Sequence, residues 1–319
     1  MRYSVRHVTR FSYETPIAES VIEARMQPRS DVAQRCLHFA LTTTPASRVM
    51  TYQDHDGNCV HFFNIPARHS RLTLTAEAMV ESAPMAAVPE RLGPGAWEAL
   101  DAIVDSGECW EYLAPSPFTG ATALLNAFAA ELQLERGDDP LTLLHQLTAD
   151  VYNRFEYKPR TTRVDSPIDE ALDARCGVCQ DFAHVFIALA RPLGIPTRYV
   201  SGYLFRDVNT NDRSADGATH AWVEAFLPEL GWTGFDPTNN IVAGERHIRV
   251  AVGRDYADVP PTRGVYKGAA AVRSELAVAV RVGAQQSSGS DVVPFTPWMS
   301  RDAGAPLSRP EEAQEQQQQ

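Results

Sequence analysis

The sequence predicts an α+β protein, with an all-β segment at the N-terminus followed by a buried helix packed on an antiparallel sheet. Three observations support this fold class. Apolar and polar residues alternate along 1–81, which is typical of half-buried strands. Residues 179–193 are apolar on nearly every side, which indicates a helix inside a domain. The strand-like runs 220–227 and 232–235 follow, joined by a turn so short that the strands are predicted to be antiparallel neighbours.

The size and charge of the chain limit its domain number and its partners. A length of 319 residues indicates about two domains, and 44% hydrophobic residues suffice for a buried core. The net charge of −11 disfavours nucleic-acid binding, because an acidic chain repels phosphate backbones. We expect no membrane contact, since no run of about 18 apolar residues occurs. The N-terminus lacks the apolar stretch of a targeting signal, so we expect a cytoplasmic protein.

The N-terminal β-rich domain is predicted to span 1–81. Asp56-Gly57-Asn58 predicts a hairpin turn within it, because Gly and Asn tolerate positive φ. The alternation predicts strands at 1–8, 39–44, 60–65 and 72–80.

Residues 82–120 are interpreted as a linker, because five prolines interrupt them. A second domain is predicted to span 121–282, and it begins with two helices, the first near 122–134. The second helix begins after Asp139, an N-cap residue followed by a first-turn proline. Its apolar residues share one helix face: Leu141, Leu144, Leu147, Val151 and Phe155.

The second domain ends in predicted strands, and the chain then changes character. Residues 283–319 are of low complexity and are predicted to be disordered, although the apolar content of 292–299 would allow local docking. The strands of the second domain are expected at 197–204, 220–227, 232–235 and 276–282.

Cys179 is the strongest candidate for a functional residue, since it lies where the buried helix should begin. The partial positive charge at a helix N-terminus stabilises a thiolate and so favours nucleophilic attack at neutral pH. The free N–H groups there could stabilise an oxyanion. Gly177 allows the tight turn that such an exposed nucleophile needs.

His220 and Asp236 are the predicted partners of this thiol. His220 begins one strand and Asp236 ends the next, so antiparallel pairing would bring them together at one edge of the sheet. A nucleophilic thiol needs a base and a group that orients the base. Cys179, His220 and Asp236 therefore form a geometrically sensible catalytic triad.

The residues around these three positions resemble the bacterial transglutaminase-like superfamily. The segments similar to its core are Gly177-Val178-Cys179-Gln180-Asp181-Phe182-Ala183, residues 194–203, His220-Ala221-Trp222-Val223-Glu224 and Gly234-Phe235-Asp236-Pro237-Thr238. Residues 13–16, 25–29 and 54–58 resemble the β-rich N-terminal module that accompanies this core in bacteria, and residues 252–261 and 264–268 resemble its C-terminal edge. The resemblance implies a papain-like core and a Cys-His-Asp triad at Cys179, His220 and Asp236.

The predicted function is that of a cysteine hydrolase, which cleaves an amide, peptide or isopeptide bond through a thioester. With an amine as second nucleophile, the same chemistry gives a protein-glutamine acyltransferase, and the resemblance covers both outcomes. A third hypothesis is a non-catalytic scaffold that binds peptides in the same cleft. The chemistry requires no metal and no organic cofactor, and the expected partner is a peptide or protein substrate.

The remaining cysteines leave two alternatives open. Cys176 and Cys179 form a CxxC pair, which could be a redox dithiol or part of a zinc site with His184 and His220. Both hypotheses are disfavoured, because the residues before Cys176 do not resemble a strand and no second ligand pair is close by. Packing is the expected role of the other four cysteines, which are Cys36, Cys59, Cys109 and Cys176.

Five further residues near these motifs have open roles. His184 is expected to be a satisfied buried histidine, and Asp181 to stabilise the helix dipole. Trp222 could shield His220 from water or fill the core, and the Tyr157 hydroxyl could reach the acyl pocket. Glu224 is expected to face solvent.

Overall fold

The computed structural model describes residues 1–84, 87–207, 209–215, 217–268 and 273–285. Its helices are α1 (Ala96–Asp105), α2 (Ala123–Glu131), α3 (Pro140–Arg154), α4 (Ile168–Ala174) and α5 (Cys179–Ala190). Its strands are β1 (Arg2–Ile17), β2 (Glu19–Ala24), β3 (Gln34–Thr44), β4 (Met50–Gln53), β5 (Cys59–Ile65), β6 (His69–Ser82), β7 (Glu156–Tyr157), β8 (Cys176–Gly177), β9 (Thr197–Leu204), β10 (His220–Leu227), β11 (Gly231–Asp236), β12 (Ile241–Val242), β13 (His247–Gly253), β14 (Thr262–Lys267) and β15 (Ser274–Gln285).

Two four-stranded antiparallel sheets form the N-terminal part of the molecule. Their strand orders are β15-β1-β6-β3 and β14-β2-β5-β4. Side chains from both sheets, among them Ile22, Phe63 and Leu74, share one apolar cluster. The alternation that predicted the strands arises because each strand has one face on this core. Both sheets also contain a strand from the C-terminal part of the chain, because β15 pairs with β1 and β14 pairs with β2.

A five-stranded sheet in the order β12-β11-β10-β9-β13 forms the second part of the molecule. All twelve residues of α5 are buried, and the helix packs on one face of this sheet. Ala221, Val223 and Ala225 of β10 contact that helix-side core, whereas Trp222 belongs to a separate cluster on the opposite face. The prediction of an α+β fold with a buried helix on an antiparallel sheet is thereby confirmed.

An ion-pair cluster joins this sheet to the N-terminal part. The Glu224 side chain is 3% exposed and accepts hydrogen bonds from Arg198 at 2.6 and 2.9 Å. Arg249 bridges Glu224, at 3.2 Å, and Asp31 of the β2–β3 connection, at 2.6 Å. The expectation that Glu224 faces solvent is therefore wrong, because the N-terminal part covers this face of the sheet.

Several elements differ from the sequence-based interpretation. Residues 82–120 contain α1, a helix that the prolines obscured, and β13 and β14 were not predicted. The last strand extends to Gln285, three residues beyond its predicted end. The rest of the predicted low-complexity tail, 286–319, lies outside the described residues, and so does the predicted docking stretch at 292–299. In the part of the chain that the structure describes, no helix is long and apolar enough to span a membrane.

Candidate active site

Cys179 is the first residue of α5, as predicted, and the segment before it is fixed by backbone pairing. β8 runs parallel to β7, which sets the position of the chain two residues before the thiol. The Val178 N–H donates to the Asp181 carboxylate at 2.8 Å and closes the first turn of the helix. Gly177 is needed because a Cβ there would lie 2.5 Å from Asp181 Oδ2. The geometry therefore holds the thiol rigidly at the helix N-terminus.

His220 and Asp236 lie on neighbouring antiparallel strands, as predicted. β10 pairs with β11 in a register that places Val223 opposite Phe235. His220 Nε2 lies 2.8 Å from Asp236 Oδ2, and both side chains are almost fully buried. The predicted adjacency of the imidazole and the carboxylate is thereby confirmed.

The Asp236 carboxylate accepts five hydrogen bonds. Oδ1 accepts from the backbone N–H groups of Thr238 at 3.0 Å and Asn239 at 3.2 Å. Oδ2 accepts from His220 at 2.8 Å, His247 at 3.1 Å and the Asn239 side-chain amide at 2.7 Å. Burial alone would raise the pKa of Asp236, but the two histidines hold it well below its usual value. Asp236 is therefore a permanently anionic acceptor.

The other ring nitrogen of His220, Nδ1, has different surroundings. His220 Nδ1 is buried and has no partner of hydrogen-bond geometry among the described residues, and Cys179 lines the same small cavity as His220. Burial would lower the pKa of His220. The charge and hydrogen bond of Asp236, together with Cys179, more than compensate and raise it. The structure thus brings Cys179, His220 and Asp236 together in the order that a triad requires.

His247 is the functional-site residue that sequence reasoning did not find. It begins β13, on the opposite side of β9 from β10, yet its Nε2 reaches the same carboxylate oxygen as His220. In the sequence, His247 is a single histidine at the start of an alternating apolar run, and this pattern does not distinguish it from a residue at the start of any strand. Only the pairing of β13 with β9 reveals its partner.

His220, Asp236 and His247 form the one cluster of possible metal ligands found among the described residues, with ligand atoms within 4.8 Å of one another. Each of these atoms already takes part in a hydrogen bond, since both Nε2 atoms meet Asp236 Oδ2. A metal ion would have to displace both of these hydrogen bonds. The geometry is therefore that of a hydrogen-bonded cluster.

Two cavities adjoin His220. The smaller measures about 20 Å³, room for about one water molecule, and is lined by Cys179, Gln180 and Tyr256 among others. The larger measures about 400 Å³ and is lined by described residues between β9 and β10, such as Arg206 and Ser214, and by Val280 and Val282 of β15. Cys179 itself is only 4% exposed. Substrate entry to the thiol therefore requires side chains around the smaller cavity to move.

Asn239 connects the triad carboxylate to the loop that precedes His220. Its Oδ1 accepts from the backbone N–H groups of Arg213 at 2.8 Å and Ser214 at 3.4 Å, while its Nδ2 donates to Asp236. The same loop is held by the Tyr157 hydroxyl, which accepts from the Ala215 N–H at 3.1 Å. The Tyr157 hydroxyl thus anchors the loop, and Tyr157 does not line the cavity at Cys179 in the described structure.

The neighbouring residues have structural contacts. His184 Nε2 accepts from the Tyr256 N–H at 3.2 Å, which satisfies this buried ring as expected. Asp181 accepts from Thr162 at 2.6 Å, and burial raises the pKa of its carboxyl to about 6. Trp222 stacks on His220 with ring centroids 5.9 Å apart. All five cysteines are free thiols, and Cys176 is buried in β8.

Sequence comparison agrees with this geometry. Residues 127–237 match the transglutaminase-like superfamily, and residues 3–81 match the bacterial transglutaminase-like N-terminal region. A protein of Mycobacterium leprae is 34% identical over 281 residues, which cover 88% of this chain and 98% of that protein. The chain belongs to the transglutaminase-like superfamily.

Other similarities of this transglutaminase-like protein differ in extent. A Mycobacterium tuberculosis protein is 35% identical over 278 residues, which cover 83% of this chain and 87% of that one. A protein-glutamine gamma-glutamyltransferase of Pseudomonas aeruginosa is 32% identical over 122 residues, which cover 36% of this chain and 18% of that enzyme. A crystal structure from Cytophaga hutchinsonii, provisionally called a cysteine protease, covers 93% of both chains with a TM-score of 0.69 at 21% identity. This last similarity supports the fold.

Proposed function

We propose that this protein is a cysteine hydrolase that cleaves an amide, peptide or isopeptide bond through a thioester intermediate. The observation that carries the proposal is the arrangement of His220 between two partners. Its Nε2 is held by Asp236 at 2.8 Å, while its Nδ1 is left without a hydrogen bond and the ring shares a small cavity with Cys179. This is the relation that a nucleophile, a base and an orienting carboxylate need.

In the proposed acylation, the Cys179 thiol proton passes to His220 Nδ1. The sulfur attacks the substrate carbonyl carbon, and the carbonyl electron pair moves to oxygen. The free N–H groups at the start of α5 would stabilise that oxyanion. The C–N bond then breaks, the amine takes the proton from His220 Nδ1 and departs, and a thioester remains. The raised pKa of His220 favours the imidazolium that this step needs.

In the proposed deacylation, water attacks the thioester carbonyl and gives its proton to His220 Nδ1. The C–S bond breaks, the carboxylic acid leaves, and Cys179 recovers the proton. Asp236 stays ionised throughout, because five donors stabilise its charge. No other group is required to balance the reaction.

A second candidate function is amine transfer, in which a primary amine replaces water in the second step. The similarity of 122 residues to a protein-glutamine gamma-glutamyltransferase favours this candidate. Mass spectrometry of an amide substrate incubated with a labelled primary amine separates the two functions. Incorporation of label that equals or exceeds hydrolysis would replace the hydrolase proposal with the acyltransferase.

Profiling against a peptide and isopeptide library tests the catalytic proposal, with two cysteine variants as the comparison. Cys179→Ala removes the nucleophile and should abolish turnover. Cys176→Ala is the matched control, since this buried thiol lies three residues away and takes no part in the triad. Turnover that survives in Cys179→Ala but is lost in Cys176→Ala would refute the assignment.

A further inference from the structure

His247 contacts the triad carboxylate but has no role in the proposed chemistry. Its side chain is 3% exposed, and its Nε2 lies 3.1 Å from Asp236 Oδ2. His220 Nε2 reaches the same oxygen at 2.8 Å. Two imidazoles therefore share one carboxylate oxygen, one from β10 and the other from the edge strand β13.

The backbone around His247 fixes which of its nitrogens carries the proton. The Gly244 N–H donates to His247 Nδ1 at 3.1 Å, and the His247 N–H donates back to the Gly244 carbonyl at 2.9 Å. Nδ1 must therefore offer its lone pair, and in a neutral ring the proton then lies on Nε2. Burial lowers the pKa of His247 more than Asp236 raises it. The lowered pKa favours the neutral ring. His247 is thus a donor to the carboxylate.

The ring is also fixed by packing. The Trp222 ring meets His247 edge-on at 5.1 Å and stacks on His220 at 5.9 Å. Trp222 therefore occupies the space beside both imidazoles, and rotation of either ring would require it to move.

The two oxygens of Asp236 are held in different ways. Oδ1 is bound by backbone N–H groups of the turn that follows β11, at Thr238 and Asn239. Oδ2 is bound by side chains alone, and the Asn239 amide among them also serves the loop at Arg213. His247 is the Oδ2 donor that is fixed by a strand and a tight turn without contacting the thiol. It is thus well placed to keep Oδ2 in line with His220 Nε2.

We propose that His247 is a positioning residue for the triad: a neutral Nε2–H donor that fixes the Asp236 carboxylate so that Oδ2 stays aligned with His220. The inference rests on the proposed function, because alignment matters only if His220 acts as the base. A residue that holds a functional side chain by a hydrogen bond has a counterpart in metal sites, where residues hydrogen-bonded to the metal ligands fix their orientation. Loss of such a residue costs about 10–100-fold in activity.

Kinetics of two variants test this role. His247→Leu removes the donor and should lower kcat by about 10–100-fold, with KM unchanged within about twofold. His247→Gln keeps an N–H donor and should restore kcat to within about threefold of wild type. His7→Leu is the control, because His7 is another buried histidine with two side-chain hydrogen bonds, to Tyr203 at 3.0 Å and Thr9 at 3.1 Å. It should lower the melting temperature without changing kcat.

NMR of the ¹⁵N-histidine-labelled wild-type protein provides a readout that needs no substrate. At pH 7 the nitrogen shifts of His247 should report a neutral ring protonated on Nε2. His247→Leu assigns the signal by its disappearance, or His247→Gln does so if the leucine variant fails to fold.

The outcomes separate the inference from the function on which it rests. A proton on Nδ1, a charged His247 ring, or a kcat of His247→Leu above half that of wild type overturns the positioning role. A rise in KM alone also overturns it. Failure of the wild type to turn over any amide refutes the proposed function instead, and the ¹⁵N shifts then decide alone whether His247 donates to Asp236.

Discussion

Replacing Asp236 with Asn should be the most damaging conservative change in the molecule. The side chain keeps its shape but loses its charge. Both oxygens of Asp236 accept hydrogen bonds, so the amide nitrogen of Asn would face donors in either orientation. In the less costly orientation the amide nitrogen faces the backbone N–H groups of Thr238 and Asn239, which leaves two buried donors without an acceptor. At about 1–3 kcal/mol for each such donor, the free energy of unfolding should fall by roughly 2–6 kcal/mol.

The effect on catalysis follows from the distance between the His220 imidazolium and the Asp236 carboxylate. Two unit charges at the 2.8 Å between His220 Nε2 and Asp236 Oδ2 attract each other by about 6 kcal/mol at an effective dielectric constant of about 20. The Asn carbonyl oxygen recovers part of this energy. We therefore expect kcat to fall by about 10³–10⁴-fold, which corresponds to roughly 4–5.5 kcal/mol in the activation free energy.

The assay is turnover of an amide substrate identified with the wild-type enzyme, combined with urea unfolding of each variant. Asp139→Asn is the matched control, since this carboxylate is also buried and accepts from backbone N–H groups, those of Leu141 at 3.0 Å, Thr142 at 3.1 Å and Leu92 at 3.2 Å, but caps α3. The control should retain full turnover. A kcat of Asp236→Asn within about tenfold of wild type would show that the carboxylate charge does not support the base, and would refute the triad.

Three further predictions concern stability. Burial raises the pKa of Asp181 to about 6, so the unfolded chain releases this proton first and stability falls as pH rises from about 4 to 6. In urea titrations the free energy of unfolding of Asp181→Asn should exceed that of wild type by about 3 kcal/mol at pH 7 and by little at pH 4. An equal difference at both pH values would show that burial does not raise the pKa of Asp181. Asn239→Ala removes the link between Asp236 and the loop at Arg213, and should lower both kcat and the protection of that loop in hydrogen exchange. Glu224→Ala leaves Arg198 without its carboxylate partner and Arg249 with Asp31 alone, and should lower the free energy of unfolding by about 3–5 kcal/mol. Glu81→Ala, in an exposed pair, should lower it far less, and equal losses in urea unfolding would contradict the difference in burial.

The site could be predicted from the sequence where its residues occur in local patterns. The apolar run after Cys179 indicated a buried helix, and the short turn before Gly231 indicated antiparallel strands, so His220 and Asp236 could be expected to lie together. Each of these inferences needed only periodicity and one connection length.

Residues that depend on pairing between distant strands could not be predicted in the same way. His247 reaches Asp236 because β13 pairs with β9, which is more than forty residues earlier in the chain. Glu224 seemed to face solvent because alternation shows which residues share a face but not what covers that face. Here the covering element is the β2–β3 connection with Asp31, which closes the cluster through Arg249.

The N-terminal module depends on two strands from the C-terminal part of the chain. Residues 3–81 match a family region of their own, yet β1 is paired along Arg2–Tyr13 with β15, and β2 along its whole length with β14. A fragment cut out at that boundary would leave both strands as long open edges, whose unpaired N–H and C=O groups invite pairing with other copies. The fragment is therefore expected to aggregate. In this chain the boundaries of the sequence module and of its sheets differ, because β14 and β15 from the C-terminal part complete both sheets.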